Sequence, residues 1–315
     1  MITTTPFKSL MGCAALILAA GNVQAAEPAQ CKNISIGLMS WTDVIATTAV
    51  TRTVLERLGY TSKETIAAQQ MIYSGMRNKQ VDAFMGHWSP SSNAIVGPFV
   101  DKGDVQIMPT PNMADGQMTL AVPTWLAEKG LKTFADIARF EDELDGRIYG
   151  IDPGTNINKR LQQAISDNRF GLKNFKLIES GEAGMLAAVK RANQRKDAIV
   201  FIGWKPHPMN IDMDLTYLTG SDGLMGPEEG KATVWTVTRS GYADECPNAY
   251  KLLSNIHFTA EQEAEMMVKL LKRGQPMDVA KTFIDEHPEL VKSWLAGVTS
   301  FAGDESLSLV MNEAP

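Results

Sequence analysis

Short apolar runs alternate with amphipathic, helix-length stretches along almost the whole chain, and no other feature narrows its folding options as far. Residues 33 to 39 (Asn-Ile-Ser-Ile-Gly-Leu-Met) read as a buried strand. Residues 42 to 58 follow as a helix, with Thr42 or Asp43 near its N-cap. Its apolar stripe runs through Ile45, Ala49, Val54 and Leu58, and Gly59 stops it. A second helix is expected over 69 to 79 and a second buried strand over 81 to 85. Strand–helix alternation of this kind is the signature of an α/β fold with largely parallel sheets, because a crossover helix returns the chain to the same sheet edge.

A separate block of the same kind begins near Met118. Strands are expected over 118 to 123, 147 to 152, 175 to 178 and 198 to 203, with helices over 158 to 166 and 182 to 195. The stretch 219 to 230, rich in Gly, Ser, Asp and Glu, reads as a boundary loop. The chain then returns as a strand over 231 to 238 and ends in helices over 249 to 258, 260 to 273, 276 to 286 and 289 to 296. Two α/β units of this size fit two lobes better than one core. The expected division is lobe 1 from residues 27–117 and 221–315, with lobe 2 (118–220) inserted into it. A cleft between lobes is the default place for a ligand.

The first 26 residues read as an export leader. Lys8 supplies the positive region, Leu10 to Ala20 the apolar run, and Val23-Gln24-Ala25 the small-residue cleavage site, so the mature chain is expected to begin near Ala25/Ala26 in the periplasm. Leu10-Met11-Gly12-Cys13 superficially resembles a lipidation box, but the apolar run follows Cys13 where it would have to precede it. No other stretch approaches the ~18 apolar residues of a membrane span. Loss of Cys13 leaves Cys31 and Cys246, and an even count in an exported protein reads as a disulfide, the alternative being two buried thiols. A net charge of −6 gives no electrostatic footing for nucleic acid.

Three tryptophans stand at strand-to-loop junctions: Trp41-Thr42-Asp43, Gly86-His87-Trp88-Ser89-Pro90 and Gly203-Trp204-Lys205-Pro206-His207-Pro208. The carboxyl ends of strands are where open α/β sheets bind ligands. A quaternary ammonium group cannot donate hydrogen bonds, so aromatic faces are the usual means of recognising it, each worth roughly 0.5–2 kcal/mol. Three or four faces supply much of the ~8 kcal/mol that micromolar binding needs. Asp43 reads either as a plain helix cap or as a partner for a cation or a hydroxyl. The loop Pro153-Gly154-Thr155-Asn156 offers amide donors ahead of a helix, or is polar filler. Trp125, Trp235 and Trp294 lack such settings and are assigned to packing.

Little points to catalysis. The four histidines (His87, His207, His257 and His287) show no metal-ligand spacing, and the chain has no nucleophile elbow and no Gly-rich phosphate loop. The carboxylates read as solvated helix faces. No catalytic residue, cofactor or metal is therefore expected, and an exported enzyme is the alternative from a different class.

The stations, with Thr119-Leu120-Ala121-Val122-Pro123-Thr124, Ile148-Tyr149-Gly150-Ile151-Asp152-Pro153-Gly154 and Trp294-Leu295-Ala296-Gly297-Val298-Thr299, resemble the periplasmic substrate-binding proteins of quaternary-ammonium ABC importers, in particular their choline and carnitine branch. The resemblance implies a two-lobed, type II periplasmic-binding-protein fold with the ligand between the lobes. It implies that Trp41, Trp88 and Trp204 wall the trimethylammonium group and that Asp43 accepts the ligand hydroxyl. It places the family's asparagine ligand at Asn156 or Thr155, since the loop is one residue longer here, and it implies the Cys31–Cys246 disulfide. The partners it implies are inner-membrane permease subunits and a separate cytoplasmic ATPase, with the binding protein itself monomeric. Choline-binding relatives carry a tyrosine where this chain has Met118. A thioether packs on methyl groups but has no π-face, so the fourth wall is open and choline and carnitine both remain candidates. Asp43 disfavours plain glycine betaine, whose carboxylate it would repel and which has no hydroxyl to donate. The alternatives are a glycine betaine/proline betaine binding protein or, from a different class, an exported choline-ester hydrolase.

Overall fold

The computed structural model describes Met1 and residues 26–311; the leader expected over 1–26 lies, apart from its two ends, outside them. In chain order the elements are β1 (Asn33–Leu38), α1 (Thr42–Arg57), β2 (Thr61–Ile66), α2 (Gln69–Arg77), β3 (Ala83–Ser89), α3 (Asn93–Val100), β4 (Val105–Ile107), β5 (Met113–Pro123) and α4 (Thr124–Glu128). Then come β6 (Arg147–Tyr149), α5 (Asn156–Ser166), β7 (Lys176–Ile178), α6 (Glu182–Arg195), β8 (Phe201–Lys205), α7 (Met209–Asp212) and β9 (Leu215–Tyr217). The chain closes with β10 (Lys231–Arg239), α8 (Tyr242–Glu245), α9 (Pro247–Asn255), α10 (Ala260–Leu271), α11 (Pro276–Glu286), α12 (Pro288–Trp294) and α13 (Ser306–Met311).

The strands follow the path β2-β1-β3-β10-β5-β8-β6-β7, with β4 beside β10 and β9 beside β5. β1 runs parallel to β2 and β3, and β6 parallel to β7 and β8. The middle of the path is antiparallel: β10 against β3, β4 and β5, and β5 against β8 and β9. The expectation of largely parallel sheets therefore holds at the two ends and fails between them. β5 and β10 carry the chain between the two halves and cross the sheet without a βαβ return.

β5 is the joint. Met113, Gly116 and Gln117 pair with β10, and from Gln117 onward the strand pairs with β8. It begins five residues earlier than the apolar run predicts, because Asp115 and Gln117 interrupt that run while the backbone continues extended.

β2 was not expected at all. Its sequence, Thr-Ser-Lys-Glu-Thr-Ile, carries no apolar run because it is an exposed edge, and charged edges discourage pairing with other chains.

One buried cluster packs α1 and the C-terminal helices against β1 and β3, with Val50, Val54, Leu252, Phe283 and Trp294 inside it. The other runs from α2 and α3 through the whole 118–220 segment and includes Trp41, Trp88, Met118 and Trp204. Cys31 and Cys246 form the disulfide, with Cα atoms 5.6 Å apart, and so fasten β1 to the start of α9.

Candidate functional site

Trp41, Asp43, Trp88, Met118 and Trp204 line one cavity together with Ile151, around about 260 Å³ of empty space that is partly open to solvent. Each wall is delivered by a different element. Trp41 is the N-cap residue of α1, and its carbonyl accepts the first helical bond from Ile45 N–H at 2.9 Å. Trp88 lies near the end of β3, where strand alternation turns His87 to the opposite face. There the Tyr73 hydroxyl, which accepts from Gln69, meets His87 Nδ1 at 3.0 Å. Burial lowers His87 to about 4, which keeps it neutral. Met118 and Trp204 sit opposite one another in the β5–β8 ladder and so share a face.

The rings are held by hydrogen bonds as well as packing. Trp88 Nε1 donates to Asp43 Oδ2 at 2.9 Å, so the carboxylate orients one wall while facing the cavity. Trp41 Nε1 donates to Asp152 Oδ2, also at 2.9 Å, from the loop that follows β6. Trp204 meets the edge of His207 at a centroid distance of 4.8 Å. Asp43 is 3 % exposed. Burial, reinforced by the nearby Glu182 carboxylate, raises it from 3.8 to about 6, against the opposing hydrogen bonds from Trp88 and the Val44 backbone. A buried carboxylate without a cationic partner among indole faces is chemically complementary to a compact cation.

The two loop residues are placed differently. Asn156 opens α5, two residues earlier than the apolar pattern predicts, and its Nδ2 donates to the Ser91 carbonyl at 2.7 Å. Thr155 occupies the N-cap position, its hydroxyl buried without a partner. Neither lines the cavity around the rings. Asn158, further along α5, ties the loop down through Ile151 N and the Ile151 and Asp152 carbonyls.

Sequence reasoning missed Ile151, Asp152 and Glu182. Ile151 and Asp152 fall within a quoted station, yet only the fold turns one into the cavity and the other onto Trp41. Glu182, the first residue of α6, reads as an ordinary first-turn acid, but it is 4 % exposed. Among the described residues no cluster of His, Cys, Asp and Glu could hold a metal ion, and no helix is long and apolar enough to cross a membrane.

Residues 32–286 match the family model described as the substrate-binding domain of ABC-type glycine betaine transport systems. The chain is similar, at 41% identity, to an ABC-transporter choline-binding protein solved with choline, over 90% of this chain and 98% of that one, with a TM-score of 0.87. The same comparison with an unliganded semi-closed choline-binding protein gives 41% identity over 89% and 98%, with a TM-score of 0.82. It is also 33% identical to the glycine betaine/carnitine transport binding protein GbuC of Listeria monocytogenes over 52% of this chain, a match that spans only about half (54%) of that relative.

Proposed function

The chain belongs to the family of substrate-binding domains of ABC-type glycine betaine transport systems, and from that premise we propose that it captures a trimethylammonium alcohol, choline or carnitine, in the periplasm and delivers it to an ABC permease powered by a separate ATPase. The observation that carries this is the Asp43 carboxylate, buried among Trp41, Trp88 and Trp204 in one cavity. Three rings satisfy the methyl groups, and the carboxylate offsets the charge or accepts the hydroxyl proton. Choline is favoured by the 41% identity to a choline-binding protein across nearly the whole chain. Carnitine is favoured by Met118, which leaves one wall without a ring. A carnitine carboxylate needs a donor; the Thr155 hydroxyl, buried without a partner but outside the cavity lining, would have to turn toward the ligand to serve it.

In this reading residues 27–117 and 221–315 form one lobe and 118–220 the other. The change of β5 partner at Gln117 supports that division. Trp41, Asp43 and Trp88 then come from one lobe, and Met118, Ile151 and Trp204 from the other, so the cage is complete only when the lobes meet.

Titration calorimetry with choline, carnitine and glycine betaine tests the proposal. Micromolar or tighter binding of choline or carnitine, with glycine betaine weaker, is expected. No heat from any of the three, or turnover of a choline ester, overturns it.

A further inference from the structure

Glu182 makes hydrogen bonds that its position in the sequence gives no reason to expect. From the first turn of α6 it reaches the first turn of α1, 140 residues away in sequence. Its Oε2 accepts the Thr42 backbone N–H at 3.0 Å, and its Oε1 accepts the Thr42 hydroxyl. His207 approaches the same Oε1 at 3.3 Å. Since His207 Nδ1 accepts the Met209 N–H at 3.0 Å, the neutral ring carries its proton on Nε2 and donates it to Glu182. His207 in turn packs against Trp204. One carboxylate thus ties the residue between Trp41 and Asp43 to the ring that braces Trp204, without lining the cavity itself.

α1 has no cap of its own: Trp41 stands at the N-cap with no side-chain bond to the first turn. The leading amides of a helix need acceptors, and a carboxylate there also opposes the positive end of the helix dipole. Here the acceptor is supplied from the far side of the cavity. Separation of the two segments would leave the Thr42 amide to water and Glu182 beside His207 alone.

We propose that Glu182 is a positioning residue that keeps the cleft closed over the ligand. It acts through Thr42 and His207 on the Trp41 and Trp204 walls and not by touching the ligand. The proposal rests on the functional reading above. Its contacts form only on closure, so it governs escape of the ligand and leaves capture by the open form unaffected.

The test is stopped-flow tryptophan fluorescence with choline chloride on wild type, Glu182→Gln and Thr42→Val, with ligand-free melting followed alongside. Both variants should release choline about 10- to 100-fold faster, the size of effect expected for loss of a hydrogen bond to a charged group. Association should stay within about twofold of wild type, and the double variant should lose less than the two single losses combined, since the two side chains share one contact. Ligand-free melting should be unchanged. Wild-type dissociation in both variants, a loss confined to association, or failure of both variants to fold overturns the proposal; if only Glu182→Gln misfolds, Thr42→Val decides. A wild type that binds none of the three quaternary ammonium compounds overturns the functional reading instead.

Discussion

Asp43 combines a favourable helix position with an unfavourable medium. It sits in the first turn of α1, where the dipole stabilises negative charge, and accepts the Trp88 indole N–H. Burial outweighs both and raises it to about 6. In the closed arrangement described here the folded chain therefore binds more protons at this site than the unfolded chain between 3.8 and about 6, and the stability of that form should fall as pH rises through that window. Choline affinity should run the other way and weaken as pH drops below about 6, where Asp43 protonates. Calorimetry from pH 5 to 8 on wild type and Asp43→Asn checks both signs: the variant should bind about 10- to 100-fold more weakly at neutral pH and show a flat profile in the acid range. Met118 makes the complementary case. Opposite Trp204 in the ladder, Met118→Tyr should restore a fourth ring and tighten tetramethylammonium and choline by about 2- to 30-fold while weakening carnitine. Equal changes for choline and carnitine would mean that this wall does not set selectivity.

At the scale of elements, strand ends and helix starts place the cage, and neighbouring backbone fixes where those ends fall. Gly230, just before β10, has φ +88°, and its carbonyl accepts the Met118 N–H at 2.8 Å. A Cβ there would lie 2.0 Å from the Met118 carbonyl oxygen, a contact between backbone atoms that no rotamer relieves. Gly230→Ala should cost about 2 kcal/mol or more and displace Met118 from its wall. Chemical denaturation should show the lost stability and calorimetry a weakened ligand, whereas a stable variant with normal affinity would show that β5 is held by its other pairings. Elements were legible where their apolar pattern was strong: α6 and α11 begin and end as predicted. β2 and the start of β5 were not legible, because an exposed edge and a polar strand segment are held by backbone bonds that carry no side-chain signature. Glu182 escaped notice for a related reason: its partners are distant in sequence, and its acidity looks like ordinary helix chemistry.

Across the whole molecule, the Cys31–Cys246 bridge spans 215 residues and thus closes about three quarters of the described chain. Chain entropy gives an upper figure of ~5 kcal/mol for a loop of that length. Paired Cys31→Ser and Cys246→Ser substitutions should lower the melting temperature measurably while leaving choline affinity within about twofold, because the bridge lies among the C-terminal helices, in the cluster that excludes the cage. A large loss of affinity would mean that the bridge also sets the geometry of the cleft. The sequence alone determined the α/β class, the aromatic stations and the residue types of the cage, since periodicity and turn chemistry are local properties written in neighbouring residues. Only the tertiary structure decided which carboxylates are buried, that Ile151 completes the lining, and that Asp152 and Glu182 reach across to the start of α1. Burial and long-range hydrogen bonds depend on which distant segments the fold brings together, and no window of sequence contains that information.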